Sequence, residues 1–383
     1  MPVIPKNVAA QLSAATGSTE FGFAHSAGDA LAAIMGDPAS KLSADWRGIT
    51  FPFVSLAMRR HDRKVEKGWG WNGTLYEKPN PTYGLRDPAG YNAEQILSST
   101  LFRLYCAAGG DAVRRNEVGD LEPDIERRRA AAYYTAYLIV RAIASLGSID
   151  TEPTREAGQF ATALMEADIS APDLDYEGSR RPGGMLHKVV RWAFEKQGLY
   201  QMPTVRRQNK PGSPPPIDIY VDDGRHGEYE YRYDWQALPG ALWVRRNADG
   251  LREDEMPYSG QPNYVYIALG NRGALTAVGA SIDVFAAVDG AADRWETAAG
   301  GWQPLQGDNT ALDVPSGQSV QFGPFKWTPQ AGTRNGLLVR ATVAGDPSNI
   351  DPGSNLPCAA GPVALEELVR ADNNLGYRAW TLP

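Results

Sequence analysis

Cysteine and histidine are scarce in this chain, whose 383 residues hold two of the first and four of the second. Cys106 and Cys358 lie far apart and lack metal-ligand spacing, so neither a disulfide framework nor a zinc knuckle is supported. Positive charge is also in deficit. The formal net charge of −7 and the pI near 5.3 exclude nucleic acid or an acidic membrane surface as the main partner, because both demand a positive footprint. Local basic runs, Arg59 to Lys64 and Arg127 to Arg129, read as solvated helix faces or intradomain ion pairs. No stretch reaches the ~20 consecutive apolar residues that span a bilayer. The N-terminus has no basic segment leading into an apolar core, so no secretory signal is read there. Nucleophile and phosphate motifs are missing too: there is no G-x-S-x-G and no Cys–His arrangement, and "GWGWNG" has neither the lysine of a P-loop nor a following helix.

What is present is the profile of a globular protein, 43% hydrophobic and 22% charged, with a length that suggests two domains. From about Phe21 to Tyr200 apolar residues recur at three and four. "GDALAAIM", "AEQILSSTLFRLYCAAGG", "IERRRAAAYYTAYLIVRAIASLG", "TREAGQFATALMEAD" and "GGMLHKVVRWAFEKQGLY" each predict a helix, several closed by glycine. Between the first two, Trp, Gly and Pro are dense and the helical period is lost, which predicts a long structured loop or lid. "VRRQNKPGSPPP" then reads as an extended, semi-rigid spacer. Beyond it come short β-rich runs, "IDIYV", "EYEYRYDW", "ALWVRR", "NYVYIAL", "ASIDVFAAV", "SVQFGPFKW", "GLLVRATV" and "GYRAWTL", separated by Gly, Asn, Asp and Pro. The expected fold class is α + β multidomain: a helical subdomain over 1–203, a Pro-rich linker over 204–216, and an antiparallel immunoglobulin-like β-sandwich over 217–383.

Candidate chemistry is sparse. On a helix His25 and Asp29 share a face, and a ligand with a carboxylate in that relation would serve a metal, Asp29 orienting a neighbouring imidazole. A single histidine at a helix start is more often structural. "TEFGF" also invites reading as a decayed HExxH, but Thr19 and Phe23 stand where both imidazoles are needed. Asp222, Asp223 and Glu228 in "YVDDGRHGEYEY" surround a turn and would either hold Ca²⁺ through oxygen ligands or do ordinary turn chemistry. Glu94 is either a first-turn acid that complements the helix dipole or a carboxylate of a substrate cleft. The loop aromatics, Trp46, Phe51, Phe53, Trp69, Trp71, Tyr76 and Tyr83, would line a binding groove or seal a helical core. Nothing in the spacing of His61, His187 and His226 favours their convergence.

Taken in order, these segments resemble the C-terminal helical subdomain of the gluzincin zinc metallopeptidases, the thermolysin-like and fungalysin-like enzymes. "GFAHSAGDALAAIM" looks like the helix that supplies the third zinc ligand, with His25 at the ligand position, normally Glu, and Asp29 at the supporting Asp. "GYNAEQILSSTLFRLY" is similar to the fungalysin stretch H-x-x-G-E-I-W-x-x-x-L, with Tyr91 and Asn92 in the region of its histidine. "YYTAYLIVRAI" and "FATALMEAD" look like the next helix pair, and "VVRWAFEKQGLY" resembles the closing W-x-x-F-A-K-R-G-L-G element. The sandwich is similar to accessory domains of bacterial proteins, with "VDDGRHGEY" and "DNNLGYR" its most recognisable pieces. The chain departs from the family where it matters for catalysis, because it contains no HExxH.

The resemblance thus implies a metallopeptidase-derived, non-catalytic binding or structural module with a protein or peptide partner. Glu94, Tyr91 and Asn92 would be relic cleft residues and His25 and Asp29 relics of a zinc site. No cofactor is expected, with calcium left open at Asp222, Asp223 and Glu228. One alternative is a zinc hydrolase whose HExxH lobe comes from another chain or an upstream segment. Another is an adhesion or cargo protein that recognises its partner through the sandwich. The resemblance implies export, against the absence of a visible signal.

Overall fold

The computed structural model describes residues 26–40, 44–50, 59–71, 91–148, 157–176, 179–202, 209–288, 293–297, 301–332 and 334–382, with backbone alone at 44–45, 91–94, 147–148 and 179. Its chain divides into two units, Met1–Ser179 with Leu186–Ser213, and Arg180–Met185 with Pro214–Pro383. The exchange near residue 213 lies among the prolines of "KPGSPPP", and residues 180–185 belong with the second unit.

Among the described residues the first unit has one α-helix of four residues, Ala44–Arg47, and five of ten residues or more: α1 (Ser26–Gly36), α2 (Tyr91–Tyr105), α3 (Ile125–Ser148), α4 (Ala157–Ile169) and α5 (His187–Lys196). Each buries the stripe that its three-and-four spacing predicts, among them Ile96, Leu97 and Leu101 of α2, Leu138, Ile139 and Ala142 of α3, and Val190, Trp192 and Phe194 of α5. Helix α1 packs on α2, α3 on α4, and α4 on α5. Start signals are specific. Asp124 caps α3 by accepting the Arg127 amide on Oδ1 at 3.2 Å while its own carbonyl takes the Arg128 amide at 3.0 Å. Helix α2 ends in a π turn, Cys106–Gly110, with Gly109 at φ 123°. At Gly110 a Cβ would stand 2.5 Å from the Tyr105 ring, so only glycine fits there.

Two buried carboxylates organise this unit. Asp37, just beyond α1, receives Arg47 Nε and Nη2, both at 2.7 Å, and the Tyr105 hydroxyl at 2.7 Å. The same guanidinium also donates to the Asp111 carboxylate and the Gly110 carbonyl. Burial works against the Arg47 charge, but the Asp37 hydrogen bond and the charges of Cys106, Asp111 and Asp37 outweigh it and raise its pKa. Asp168, fully buried in α4, accepts the Tyr134 hydroxyl at 2.7 Å and the Leu186 and His187 amides at 2.8 Å each, fixing where α5 begins.

The second unit is a two-layer sandwich. The strands of its two five-stranded sheets are β1 (Ile219–Val221), β2 (Leu242–Arg245), β3 (Asn263–Asn271), β4 (Ala277–Ala287), β5 (Trp302–Pro304), β6 (Gln306–Gly307), β7 (Leu312–Val314), β8 (Ser319–Trp327), β9 (Arg334–Thr342) and β10 (Leu375–Thr381). One five-stranded sheet runs β5-β4-β9-β10 with β7 also on β4; the other runs β6-β8-β3-β1 with β2 also on β3. All these pairs are antiparallel, and the register of β4 on β9 runs from Ser281↔Thr342 to Ala286↔Leu337. Inward positions of both sheets share one apolar core: Ile282 and Val284, Leu337 and Val339, Val265 and Ile267, Phe322 and Phe325.

"EYEYRYDW" is not a strand, although its alternation predicts one. Its polar groups are spent elsewhere. The carbonyls of Arg232 and Tyr233 accept from the Arg370 guanidinium, Tyr231 lies 4.2 Å under that guanidinium, and Trp235 stacks on Tyr377 at 4.9 Å. The short helix Leu365–Ala371 that carries Arg370 precedes β10. Residues 180–185 support the same unit: Gly183 and Met185 carbonyls accept the Cys358 amide and Asn349 Nδ2, each at 3.1 Å.

Asp168→Ala should destabilise the helical unit by about 3 to 5 kcal/mol, since two amides and a hydroxyl lose their acceptor inside the protein. The exposed neighbour Glu166→Ala should stay within about 0.5 kcal/mol. Urea unfolding followed by circular dichroism compares the two.

Candidate functional site

The densest polar constellation among the described residues joins two segments far apart in sequence, 221–229 and 372–378, within the second unit. Asn373 is its hub. Its Nδ2 donates to Asp218 Oδ1 at 2.7 Å and to the Gly227 carbonyl at 2.9 Å, its Oδ1 accepts the Tyr229 hydroxyl at 2.6 Å, and its carbonyl accepts the Val221 amide at 2.9 Å. Asp218 is completed by Arg272, whose Nε and Nη2 lie 2.9 and 2.5 Å from Oδ2. Asp372 accepts Ser348 Oγ at 2.8 Å and the Asn349 amide at 2.6 Å. Asn374 Nδ2 donates to the Asp346 carbonyl at 2.9 Å, while Asp346 Oδ2 accepts the Ile219 amide at 2.8 Å. Burial, then the charges of Asp218, Asp372 and Asp346, hold the Tyr229 hydroxyl well above its ordinary pKa, so it stays a donor.

The turn before this knot carries the most exposed chemistry. Asp222 Oδ1 accepts the Gly224 amide at 2.8 Å and the His226 amide at 3.0 Å, and Oδ2 lies 3.0 Å from His226 Nδ1. His226 sits at φ 55°, an uncommon conformation for a side-chain-bearing residue, and its side chain is 77% exposed. This is an imidazole held at one nitrogen by a carboxylate, the arrangement that sets tautomer and orientation. Beside it Asp223 accepts the Arg225 amide at 3.1 Å and Arg225 Nε at 2.7 Å, and Arg225 reaches on to the carbonyls of Arg370 and Val369.

Asp222 and Asp223 therefore do turn chemistry and hold His226 and Arg225, while the Glu228 amide donates to the Arg225 carbonyl at 3.1 Å. Among the described residues no group of three or more His, Cys, Asp or Glu side chains is arranged to hold a metal ion, and these three carboxylates form no calcium cage. Asp29 lies in α1 with its carboxylate 3.5 Å from Arg59 Nε. His25, Phe51, Phe53, Tyr76 and Tyr83 lie outside the described residues, as do the side chains of Tyr91, Asn92 and Glu94 in the first turn of α2. The other histidines stay apart: His61 faces Thr50 Oγ1 at 3.2 Å, and His187 Nδ1 is 3.6 Å from Asp168. Of the loop aromatics, Trp46 is exposed, Trp69 lies under Arg63 at 4.0 Å, and Trp71 stacks on Phe194 at 6.2 Å. Burial, then Asp111, pushes the Cys106 thiol well up, away from nucleophile chemistry. Arg47, Asp37 and Asp168 were not anticipated. The one local signal was the Asp-Pro step at 37–38; Asp168, inside α4, meets amides 18 and 19 residues further on and left none.

No family model matches the chain, and no curated protein does. Among solved structures, a CARDB domain from Pyrococcus furiosus crystallised with di-metal ions is similar at 11% identity, covering 37% of this chain and 86% of its own, with a TM-score of 0.21. The solution structure of a CARDB domain from the same organism gives 8% identity, 37% and 92% coverage and the same TM-score of 0.21. A crustacean hemolymph-type prophenoloxidase gives 13% identity, 74% and 53% coverage and a TM-score of 0.22. Likenesses of this size assign neither fold nor function. No helix among the described residues is long and apolar enough to cross a membrane.

Tyr229→Phe should cost about 1 to 2 kcal/mol by removing one buried hydrogen bond, and Asn373→Ala roughly 3 kcal/mol or more by stranding Asp218, Gly227 and Tyr229 together. In the double variant the losses should fall short of additive, because the Tyr229 bond is already gone in Asn373→Ala. Thermal unfolding of the three variants measures this.

Proposed function

We propose that the chain is a non-catalytic binding or structural module. The observation that carries this reading is how its buried carboxylates are used. Asp37, Asp168, Asp218 and Asp372 each meet donors from the protein's own guanidinium, hydroxyl, amide or backbone groups. A catalytic acid, base or metal ligand needs lone pairs that face a substrate. These carboxylates instead hold segments together.

Descent of the helical unit from a gluzincin peptidase belongs to the proposal and rests on the sequence motifs "GFAHSAGDALAAIM", "GYNAEQILSSTLFRLY" and "VVRWAFEKQGLY". The two-sheet second unit is read as immunoglobulin-like and as the part that takes a protein or peptide partner. In support, the connection 246–262 between β2 and β3 leaves Leu251, Met256 and Tyr258 exposed, with the Arg246 guanidinium 3.7 Å over the Tyr258 ring. Arginine and rigid aromatics are favoured contact residues.

The decisive measurement is metal content by mass spectrometry on the purified, chelator-free chain. The proposal expects zinc well below one per chain. Stoichiometric zinc that is lost in His25→Ala would overturn it in favour of a zinc hydrolase completed by another chain or segment.

A further inference from the structure

His61 lies in a strap, residues 59–71, that crosses the helical unit, and only 1% of its surface is exposed. The strap begins as a two-stranded ribbon in which Ile49 pairs with Arg60 and Thr50 with Arg59. Its His61 amide donates to the Gly48 carbonyl at 2.6 Å. It is pinned onto α2 by side chains: the Arg60 amide donates to Gln95 Oε1 and the Arg63 amide to Ser99 Oγ, each at 3.2 Å. It is pinned onto the end of α5 by Gln197, whose Nε2 donates to the Arg63 and Trp69 carbonyls and whose backbone carbonyl accepts the Trp71 amide at 3.0 Å. The Trp71 ring stacks on Phe194.

Within this clasp the imidazole has one partner for two nitrogens. Nε2 is 3.2 Å from Thr50 Oγ1, and Nδ1 is buried with no hydrogen-bond partner. Asp62 favours a proton on the ring, but burial and two cations oppose one. Its own strap brings the cations Arg59 and Arg63 on either side, with Asp62 committed to Arg60 at 2.6 and 2.9 Å. From α1, Asp29 faces Arg59 at 3.5 Å, and from α2 comes the uncharged Phe102 ring, 6.2 Å away. A protonated ring would place an unpaired donor and a third positive charge in a site closed to water.

The geometry points to an acid-released strap: protonation of His61 frees residues 59–71 from α2 and α5 and uncovers the aromatic surface of Phe102, Trp71 and Phe194. Burial dominates; the Asp62 charge opposes it, Arg59 and then Arg63 add to it, and the outcome is a His61 pKa lowered to about 4 in the closed strap. A base with a depressed folded pKa binds its proton mainly in the opened state, so closure is strongest above about pH 6.5 and weakens as pH falls toward 4.

Amide hydrogen exchange of the wild-type chain at pH 7.5 and pH 5, corrected for intrinsic rates, tests this. Between pKa values of 6.5 open and about 4 closed, opening at pH 5 should be favoured about thirty-fold more than at high pH. The Arg60, His61, Arg63 and Trp71 amides should then exchange faster by about that factor, with α3 and the sandwich unchanged. In His61→Gln, which stays neutral, the acid response should vanish. Should that variant not fold, Arg59→Gln should shrink the response, because removing the adjacent cation eases protonation of the closed form. Strap exchange independent of pH, a rise shared equally by α3 and the sandwich, or an undiminished response in the folded variant would overturn the inference.

Discussion

A carboxylate moved out of water must find its hydrogen-bond donors inside the protein, and in this chain that requirement decides which distant segments meet. Asp37 joins the end of α1 to Arg47 and to the π turn that closes α2. Asp168 holds the first amides of α5 against α4 and Tyr134 of α3. In the sandwich Asp218 and Asp372 gather donors from three stretches, at 272, 348–349 and 373, so the last strand is tied back to the first. The apolar cores would fill with many similar residues at modest cost, whereas each of these acids tolerates few substitutes.

The same bookkeeping separates holding from acting. Arg225 and Arg370 are buried guanidiniums whose donors go to backbone carbonyls, with Asp223 and Glu366 as counter-charges. Tyr229 is kept as a neutral donor by its surroundings. At His226 an imidazole combines a fixed orientation with wide exposure, and both of its hydrogen bonds run to Asp222. His61 is the opposite case, an ionisable ring enclosed where its ionised form is unwelcome.

The helices were legible because α2, α3, α4 and α5 bury continuous three-and-four stripes, and the longer strands because β3, β8 and β9 carry dense β-branched and aromatic runs. Strands β5 and β7, three residues each, are too short to leave a pattern. "EYEYRYDW" misled because alternation reports side-chain direction, while the Arg370 guanidinium takes up its carbonyls in place of a neighbouring strand. "VDDGRHGEY" and "DNNLGYR" stood out separately in the sequence. That Tyr229 would meet Asn373 could not be read from it, since a hydrogen bond between residues 144 apart leaves no local periodicity. Arg47, the partner of Asp37, closes a helix of four residues, Ala44–Arg47, too short to leave a pattern in a stretch dense in Trp and Gly.

The chain's route between its units also bears on inheritance. It leaves the helices at 180, serves the sandwich through 185, and returns to build α5 before leaving again at 213. Asn349 and Cys358 lean on carbonyls from that brief visit. No single cut separates the two halves without orphaning donors in one of them. Recombination would therefore have to move the chain as one cassette, and a gene that borrowed only its last 170 or so codons would carry a sandwich with two unanswered amides.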